Sequence, residues 1–141
     1  YDQVIDVLKS GKAYSKFLEF VKYQGGNIES IYRKPLYEYQ VYSNKEGYIT
    51  SMDTTSIGKI SGLLGAGRMT KEDSIDYTAG IILNKKTSDY VKKGDLLATF
   101  YSSKTNEFKS LENEYIESLI ISNEKVEYDL IIDVINWKYE D

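Results

Sequence analysis

The sequence predicts an α+β protein with mostly antiparallel strands, preceded by a short helical segment. Three observations indicate this class: apolar residues recur with a helical period near the start of the chain, the period changes to two from Leu36, and two later helical stretches interrupt the strands. With 141 residues, the chain is long enough to bury a real hydrophobic core.

The first 34 residues predict two amphipathic helices. The first begins abruptly, without a capping residue, and the second is predicted to end at Gly25-Gly26. Together with the absence of an initiator methionine, this start leads us to expect that residues 1–34 continue from an upstream domain and that residues 35–141 form the domain proper. The predicted apolar faces carry Tyr1, Val4, Ile5 and Leu8, then Ala13, Phe17, Phe20 and Val21.

Strands are predicted on both sides of a turn at Glu46-Gly47. Tyr39 and Val41 alternate with polar residues before the turn, and a second strand follows it through Met52. Asp53 is then predicted to cap a short helix, after which Gly65 is the natural residue to end it. The predicted inward side chains of this helix are Ile57, Ile60, Leu63 and Leu64.

The second half of the chain predicts more strands and one more helix. Residues 79–85 form a predicted strand, and a hairpin turns at Lys93-Gly94-Asp95 before a strand that runs through Tyr101. Thr105 is predicted to cap the next helix, and alternation predicts a closing strand. The apolar positions of these last two elements are Phe108, Leu111, Tyr115, Ile116 and Leu119, then Val126, Tyr128, Leu130, Ile132 and Val134.

Composition excludes several classes of function. The net charge of −4 and pI of about 5.0 argue against binding to nucleic acid or to an anionic membrane, which needs a basic surface. Without cysteine or histidine, the chain has no thiol catalysis, disulfide, zinc site of the usual kind or histidine acid/base chemistry. The lack of a membrane-length apolar run and of a signal-peptide core leads us to expect a cytoplasmic location.

The segment LLGAGRMTKEDSIDYTAG, from Leu63 to Gly80, is the most unusual in the chain. Gly65-Ala66-Gly67 followed by Arg68 is consistent with a loop that binds an anion. However, these glycines follow a helix, whereas phosphate loops follow a strand and open a helix. Local chemistry therefore favours a helix end and a turn over an anion site.

Three carboxylates, Glu72, Asp73 and Asp76, allow a second interpretation of this segment as a metal site. Lys71 crowds them, and Asp73 is placed to accept backbone hydrogen bonds near Thr70. Nothing in the sequence indicates that one carboxylate is desolvated enough to raise its pKa for catalysis. We therefore predict a hydrogen-bonded turn, with no metal and no catalytic pair.

The stretch DYVKKGDLLATF is typical of the flattened sandwich of biotinyl and lipoyl carrier domains. Such carriers need a modifiable lysine on a tight turn, but Ser102-Ser103-Lys104 occupies that region without a Met-Lys-Met or Asp-Lys-Ala context. The stretch thus supports a sandwich-like fold. A stand-alone barrel-sandwich binding or carrier module remains the alternative function.

Four ordered blocks resemble the C-terminal part of pyrimidine-nucleoside phosphorylases, the family that includes thymidine phosphorylase. The resemblance runs from about Leu8 to about Tyr101, and G-A-G-R followed by K-E-D-x-I-D is its most distinctive part. One departure is the turn Lys86-Thr87-Ser88-Asp89, where the family usually has a glycine before the aspartate and this chain has Ser88. The blocks are SGKAYSKFLEFVKYQGGN, EGYITSMDTTSIG, LLGAGRMTKEDSIDYTAGI and VKKGDLLATFY.

The resemblance implies a fold and a reaction. It implies an α/β-hammerhead with a barrel-sandwich hybrid, in a homodimeric parent enzyme whose two lobes close over a cleft. The parent would convert a pyrimidine nucleoside and phosphate, its co-substrate, into the free base and (deoxy)ribose 1-phosphate. Either thymidine or uridine fits this description as the substrate.

The resemblance also implies which parts of the enzyme lie outside this chain. The residues that hold phosphate and pyrimidine in the family lie upstream of the four blocks, so we predict no catalytic residue, no cofactor and no activity for this chain by itself. We expect Gly65, Ala66, Gly67 and Arg68 to face the substrate cleft or the interdomain boundary. Lys71, Asp73 and Asp76 are expected to structure that loop.

Overall fold

The computed structural model describes residues 1–127, 129, 131–133 and 135, and the chain forms two compact units, Tyr1–Lys34 and Pro35–Asp141. The first unit contains α1 (Asp2–Lys9), α2 (Lys12–Tyr23) and a 3₁₀ turn (Ile28–Ile31). Both predicted helices are confirmed, and Gly11, at φ 76°, separates them. Neither helix buries a residue fully.

The second unit contains two three-stranded antiparallel sheets and two helices in its described part. The elements are β1 (Tyr37–Tyr42), β2 (Gly47–Met52), α3 (Thr54–Ser61), β3 (Gly80–Leu83), β4 (Tyr90–Val91), β5 (Leu96–Ser102), α4 (Lys109–Glu117) and β6 (Leu119–Ser122). One sheet has the order β1-β5-β3 and the other the order β4-β2-β6. The mixed α+β class with antiparallel strands is therefore confirmed.

The central strand β5 organises the first sheet. It pairs with β1 at Val41–Ala98 and with β3 at Ile81–Phe100. The turn before β5 was predicted to form a hairpin, which is wrong, because β4 pairs with β2 in the other sheet. In this turn the Lys92 amide donates to the Asp95 carboxylate, and the Gly94 amide donates to the Ser43 carbonyl. The chain reverses there and passes from one sheet to the other.

One hydrophobic cluster draws on both sheets and on α3 and α4. Phe100 and Tyr115 meet edge-to-face at its centre, with ring centroids 5.6 Å apart. The Tyr115 hydroxyl is buried without a hydrogen-bond partner among the described residues, and burial raises the pKa of this phenol to about 12. The cluster consists of Val41, Ile49, Ile60, Leu64, Val91, Leu97, Ala98, Phe100, Phe108, Leu111, Tyr115 and Leu119.

The two helices of this unit begin differently from each other. Asp53 caps α3 as predicted, since its carboxylate accepts hydrogen bonds from the amides of Thr55 and Ser56 at 3.0 and 3.3 Å. Thr105 does not cap α4, because its hydroxyl accepts from the Glu107 amide in a turn that precedes the helix. Helix α4 begins at Lys109 without a side-chain cap.

Two sequence predictions fail near helix ends. Leu63 is 41% exposed instead of inward, because α3 widens into a π-helical turn (Gly62–Ala66) that changes the angular position of each residue. Leu119 was assigned to the last helix but begins β6, which pairs with β2 at Met52. Val126 and Ile132 are exposed and outside any strand, and Tyr128, Leu130 and Val134 of the predicted closing strand lie outside the described residues.

None of the described helices is both long and apolar enough to cross a membrane.

Candidate functional site

The segment that follows α3, residues 65–76, is named here the 65–76 loop, and Gly65 begins it. Gly65 is buried and has φ 112°, in the region that favours glycine. A Cβ added to Gly65 would lie 3.0 Å from Lys104 Cδ and 3.1 Å from Asp76 Cβ. The positive φ breaks the helical conformation at Gly65, and both this φ and the close approach of Lys104 and Asp76 favour glycine at the position.

Asp73 folds the outer half of the loop. Its Oδ2 accepts hydrogen bonds from the Met69 amide at 2.9 Å and from the Thr70 amide at 2.8 Å. Hydrogen bonds from Thr70 and Met69 lower the pKa of Asp73, because they favour its charged form. The carboxylate that was considered as a metal ligand thus has backbone donors around it.

Asp76 closes the loop on its other side. Its amide donates to the Gly65 carbonyl at 2.9 Å, and its Oδ2 accepts from the Ser103 amide at 2.6 Å. Its Oδ1 accepts from both the amide and the hydroxyl of Thr78, at 2.9 and 2.6 Å. Burial acts to raise the pKa of Asp76, but the hydrogen bonds from Thr78 and Ser103 outweigh it, and the pKa lies below its ordinary value.

The Asp76 contacts continue into a chain of hydrogen bonds through Thr78 and Ser103, in which each group donates toward Asp76. An ionised carboxylate only accepts, so the single hydroxyl proton of Thr78 goes to Asp76. Ser103 Oγ, 2.7 Å from Thr78 Oγ1, therefore donates to Thr78 and accepts from the Leu36 amide at 3.1 Å. The exit of the loop is thereby connected to the residues before β1 and after β5.

Between Gly65 and Asp73 lies an exposed cationic tip. Arg68, Met69, Thr70 and Lys71 line a shallow open depression, and all four are exposed. Among the described residues, no hydrogen bond or ion pair involves the Arg68 guanidinium or the Lys71 ammonium. Both cations are therefore available to an anion or to another protein surface.

Within the described part of the chain, no three carboxylate or other metal-ligating side chains converge on one point. Glu72 is exposed, and Asp73 and Asp76 accept hydrogen bonds from residues on opposite sides of the loop. The tip of the loop thus presents the two cations Arg68 and Lys71, which can bind an anion.

The family model described as pyrimidine nucleoside phosphorylase C-terminal domain matches residues 48–122, just over half of the chain. The match begins in β2, contains the whole 65–76 loop and ends with β6. The chain belongs to this family. The resemblance predicted from the four blocks is confirmed, and the 65–76 loop is a part of the phosphorylase C-terminal domain.

Relatives of this domain are longer than the chain. The thymidine phosphorylase of Metamycoplasma hominis is 42% identical over 125 residues, which cover 85% of this chain and 46% of that protein. The pyrimidine-nucleoside phosphorylase of Staphylococcus aureus (strain USA300) is 43% identical over 106 residues, 72% of this chain and 24% of that protein. A relative from Staphylococcus epidermidis is 44% identical over 105 residues. The chain thus spans between about a quarter and about half of the length of these relatives.

Sequence reasoning missed the residues that lie underneath the loop. The side chains of Thr78, Ser102, Ser103 and Lys104 all contact the loop or its anchors. Ser102-Ser103-Lys104 was considered only as the place of a carrier lysine. No local pattern indicated the contact, since β3, β4 and most of β5 lie between the loop and this tripeptide in sequence.

Proposed function

We propose that this chain is the C-terminal part of a pyrimidine-nucleoside phosphorylase, in which a pyrimidine nucleoside and phosphate yield the free base and (deoxy)ribose 1-phosphate. The observation that carries the proposal is the family match together with the form of the 65–76 loop, which is anchored at both ends and presents Arg68 without a partner in the described chain. Arginine forms a planar fork that suits phosphate and carboxylate groups.

In this proposal the chain assists a reaction whose substrate-binding residues lie elsewhere in the parent enzyme. Gly65, Ala66, Gly67 and Arg68 border the substrate cleft or the boundary between domains, and Asp73 and Asp76 maintain the loop. Lys71, which the sequence placed among the loop-structuring residues, instead presents a second cation beside Arg68, because its ammonium has no partner among the described residues. The two three-stranded sheets correspond to the barrel-sandwich part of an α/β-hammerhead. The parent is a cytoplasmic homodimer that needs phosphate as co-substrate and no cofactor.

Residues 1–34 have a separate role in the proposal. Their helices present apolar side chains that nothing in this unit covers, including Val4, Leu8, Phe17 and Phe20, at 47–61% exposure. The longer relatives contain additional chain. We infer that an upstream domain of the same phosphorylase packs on these faces and that residues 35–141 form the C-terminal domain.

Phosphorolysis assays test the proposal at two levels. The 141-residue chain, purified free of host phosphorylases, is expected to show no thymidine or uridine cleavage, because the family's phosphate and pyrimidine sites lie outside it. A phosphorylase that carries these residues as its C-terminal part is expected to be active. Turnover by the chain alone would overturn the first expectation, and a lipoyl or biotinyl group found on a lysine by mass spectrometry would favour the carrier alternative.

Arg68 gives the residue-level test within the active phosphorylase. Arg68→Ala is expected to lower kcat/KM about tenfold, as loss of a charge-assisted contact does, while the melting temperature stays unchanged. Arg33→Ala removes the only other arginine of the chain and is the matched control, expected to leave kcat/KM unchanged. Unchanged kinetics with a lower melting temperature would make Arg68 a structural residue.

A further inference from the structure

The tripeptide Ser102-Ser103-Lys104, at the end of β5, touches the 65–76 loop region at three separate points. Ser102 Oγ donates to the Leu64 carbonyl at 2.7 Å, immediately before the loop. The Ser103 amide donates to Asp76 Oδ2 at 2.6 Å, at the loop's exit. Lys104 Nζ donates to the Ser74 carbonyl, in the second half of the loop. The tripeptide therefore contacts both sides of the exposed tip.

Ser102 supplies a rigid base for these contacts. Its side chain is fully buried, and its hydroxyl also accepts hydrogen bonds from the amides of Lys104 at 3.0 Å and Thr105 at 3.1 Å. A buried hydroxyl with one donated and two accepted bonds has its hydrogen-bonding capacity satisfied. The turn that carries Lys104 is consequently fixed to the end of β5.

Lys104 spans the loop from its first residue to Ser74. Its aliphatic carbons cover Gly65, since a Cβ on that glycine would lie 3.0 Å from Cδ and 3.5 Å from Cγ. Beyond Gly65 its ammonium reaches the Ser74 carbonyl. Its positive charge also helps the hydrogen bonds of Asp73 and Asp76 to lower the pKa of each carboxyl.

We propose that Lys104 is a positioning residue for Arg68, because it fastens the 65–76 loop to the end of β5 and thereby sets where the guanidinium lies. Arg68 has no side-chain partner in the described chain, so the loop backbone is what fixes the position of its Cα and the region that its guanidinium can reach. The inference rests on the proposed function, in which this loop borders the substrate cleft.

The first experiment measures the fastening without reference to catalysis. Lys104→Met keeps the carbon stem over Gly65 and removes the donor to Ser74. By amide hydrogen exchange in the 141-residue chain, the amides of Met69, Thr70 and Asp76 are expected to exchange about five- to tenfold faster, whereas amides in the β1–β5 pairing keep their protection. Lys104→Arg is expected to restore slow exchange, since it retains a charged donor.

Lys93→Met is the matched control for loss of a positive charge. Lys93 is exposed in the turn before β5 and has no hydrogen bond or ion pair within the described residues. Its variant is expected to leave loop exchange unchanged. Equal exchange of the loop amides in Lys104→Met and the parent chain would overturn the proposal at this stage.

The second experiment asks whether Lys104 acts through Arg68. In the active phosphorylase, Lys104→Met is expected to lower kcat/KM about fivefold, and the double variant with Arg68→Ala is expected to be no slower than Arg68→Ala alone. If the kcat/KM losses of the two single variants multiplied in the double variant, Lys104 and Arg68 would act independently, and the positioning role would be overturned. If Arg68→Ala itself leaves kcat/KM unchanged, the proposed role of the loop fails, while faster exchange in Lys104→Met would still establish the fastening.

Discussion

In the unit of residues 1–34 neither helix buries a side chain fully, whereas the unit from Pro35 onward encloses twelve buried hydrophobic residues among those described. Both units show regular apolar periodicity in the sequence, and in both that periodicity predicted real helices. The difference teaches that periodicity fixes the type of element but leaves open what covers its apolar face. We therefore expect most of the free energy of unfolding to come from the second unit. In the first unit we expect the exposed apolar faces to form an interface with another part of the parent enzyme.

The largest expected effect is the difference in stability cost between truncating one phenylalanine in the second unit and one in the first. Phe100 is fully buried in β5 and packs edge-to-face on Tyr115, so Phe100→Ala is expected to cost about 3–5 kcal/mol in the free energy of unfolding. Phe17 is 47% exposed, and Phe17→Ala is expected to change it by less than about 0.5 kcal/mol. Urea unfolding of the 141-residue chain measures both, and comparable losses would contradict the comparison.

A second prediction compares two glycines inside the 65–76 loop. Gly65→Ala is expected to cost about 1–3 kcal/mol, because φ 112° is strained for alanine and the new methyl meets Lys104 and Asp76. Gly67 has φ −127°, and a Cβ there would approach only Gly62 Cα at 3.4 Å, so Gly67→Ala is expected to be nearly neutral. Melting temperatures provide the measurement. A Gly67 variant as unstable as the Gly65 variant would show that the whole loop is tightly packed.

Gly65 also shows which features of the fold the local sequence can predict. The break of the helical conformation at Gly65 and the capping by Asp53 were predicted correctly, because each depends on backbone geometry within a few residues. By contrast, a Lys-Gly-Asp turn specifies a chain reversal but no partner strand, so the pairing of β4 with β2 was missed. Local patterns thus predicted most of the elements, but not which strands pair.

The contacts of the candidate site likewise fall into those that the local sequence could predict and those that it could not. The hydrogen bonds of Asp73 join neighbours in sequence, within reach of local reasoning. The contacts from Ser103 and Lys104 to the loop depend on the sheet that brings β5 beneath it. Likewise, Leu119 fits the apolar stripe of a helix as well as the start of a strand, and only its pairing with Met52 decides between them.

A third, smaller effect tests whether polar contacts add to the stability that the hydrophobic core gives the second unit. Glu112, with 14% of its side chain exposed, accepts hydrogen bonds from Tyr39 at 2.8 Å and Lys109 at 2.6 Å. Glu112→Gln is expected to cost about 1–2 kcal/mol at pH 7, since a charge-assisted pair is lost. The control is Glu114→Gln, since the Glu114 side chain pairs with Lys59 but is 33% exposed, and this change is expected to cost less than about 1 kcal/mol.

The same Glu112 contacts predict a pH dependence. Burial acts to raise the pKa of Glu112, but hydrogen bonds from Lys109 and Tyr39 outweigh it, so the folded pKa lies below the ordinary 4.5. The stabilisation is therefore present above pH 4.5 and is lost as the pH falls through the folded pKa. Urea unfolding between neutral and acidic pH is expected to show a shallower decline for Glu112→Gln than for the unaltered chain. Parallel declines would argue that Glu112 contributes nothing through its charge.

The smallest expected effect concerns Ser88, at a turn where the resemblance to the family implied a glycine. Ser88 has φ 75°, the one positive φ of a non-glycine residue in the described chain. Its amide donates to the Ile49 carbonyl at 2.8 Å, and its hydroxyl donates to the Val126 carbonyl. Both Ser88→Ala and Ser88→Gly lose the hydroxyl contact, but only glycine relieves the backbone strain.

The glycine variant is therefore expected to be more stable than the alanine variant by about 1 kcal/mol, the cost of the left-handed conformation for a residue with a Cβ. Paired urea unfolding curves measure this difference, in which the lost hydroxyl contact cancels. Equal stability of the two variants would mean that the turn relaxes once the hydroxyl is gone. A difference of the expected size would mean that the surrounding strands of the second unit hold Ser88 in place. No such framework of paired strands exists within residues 1–34.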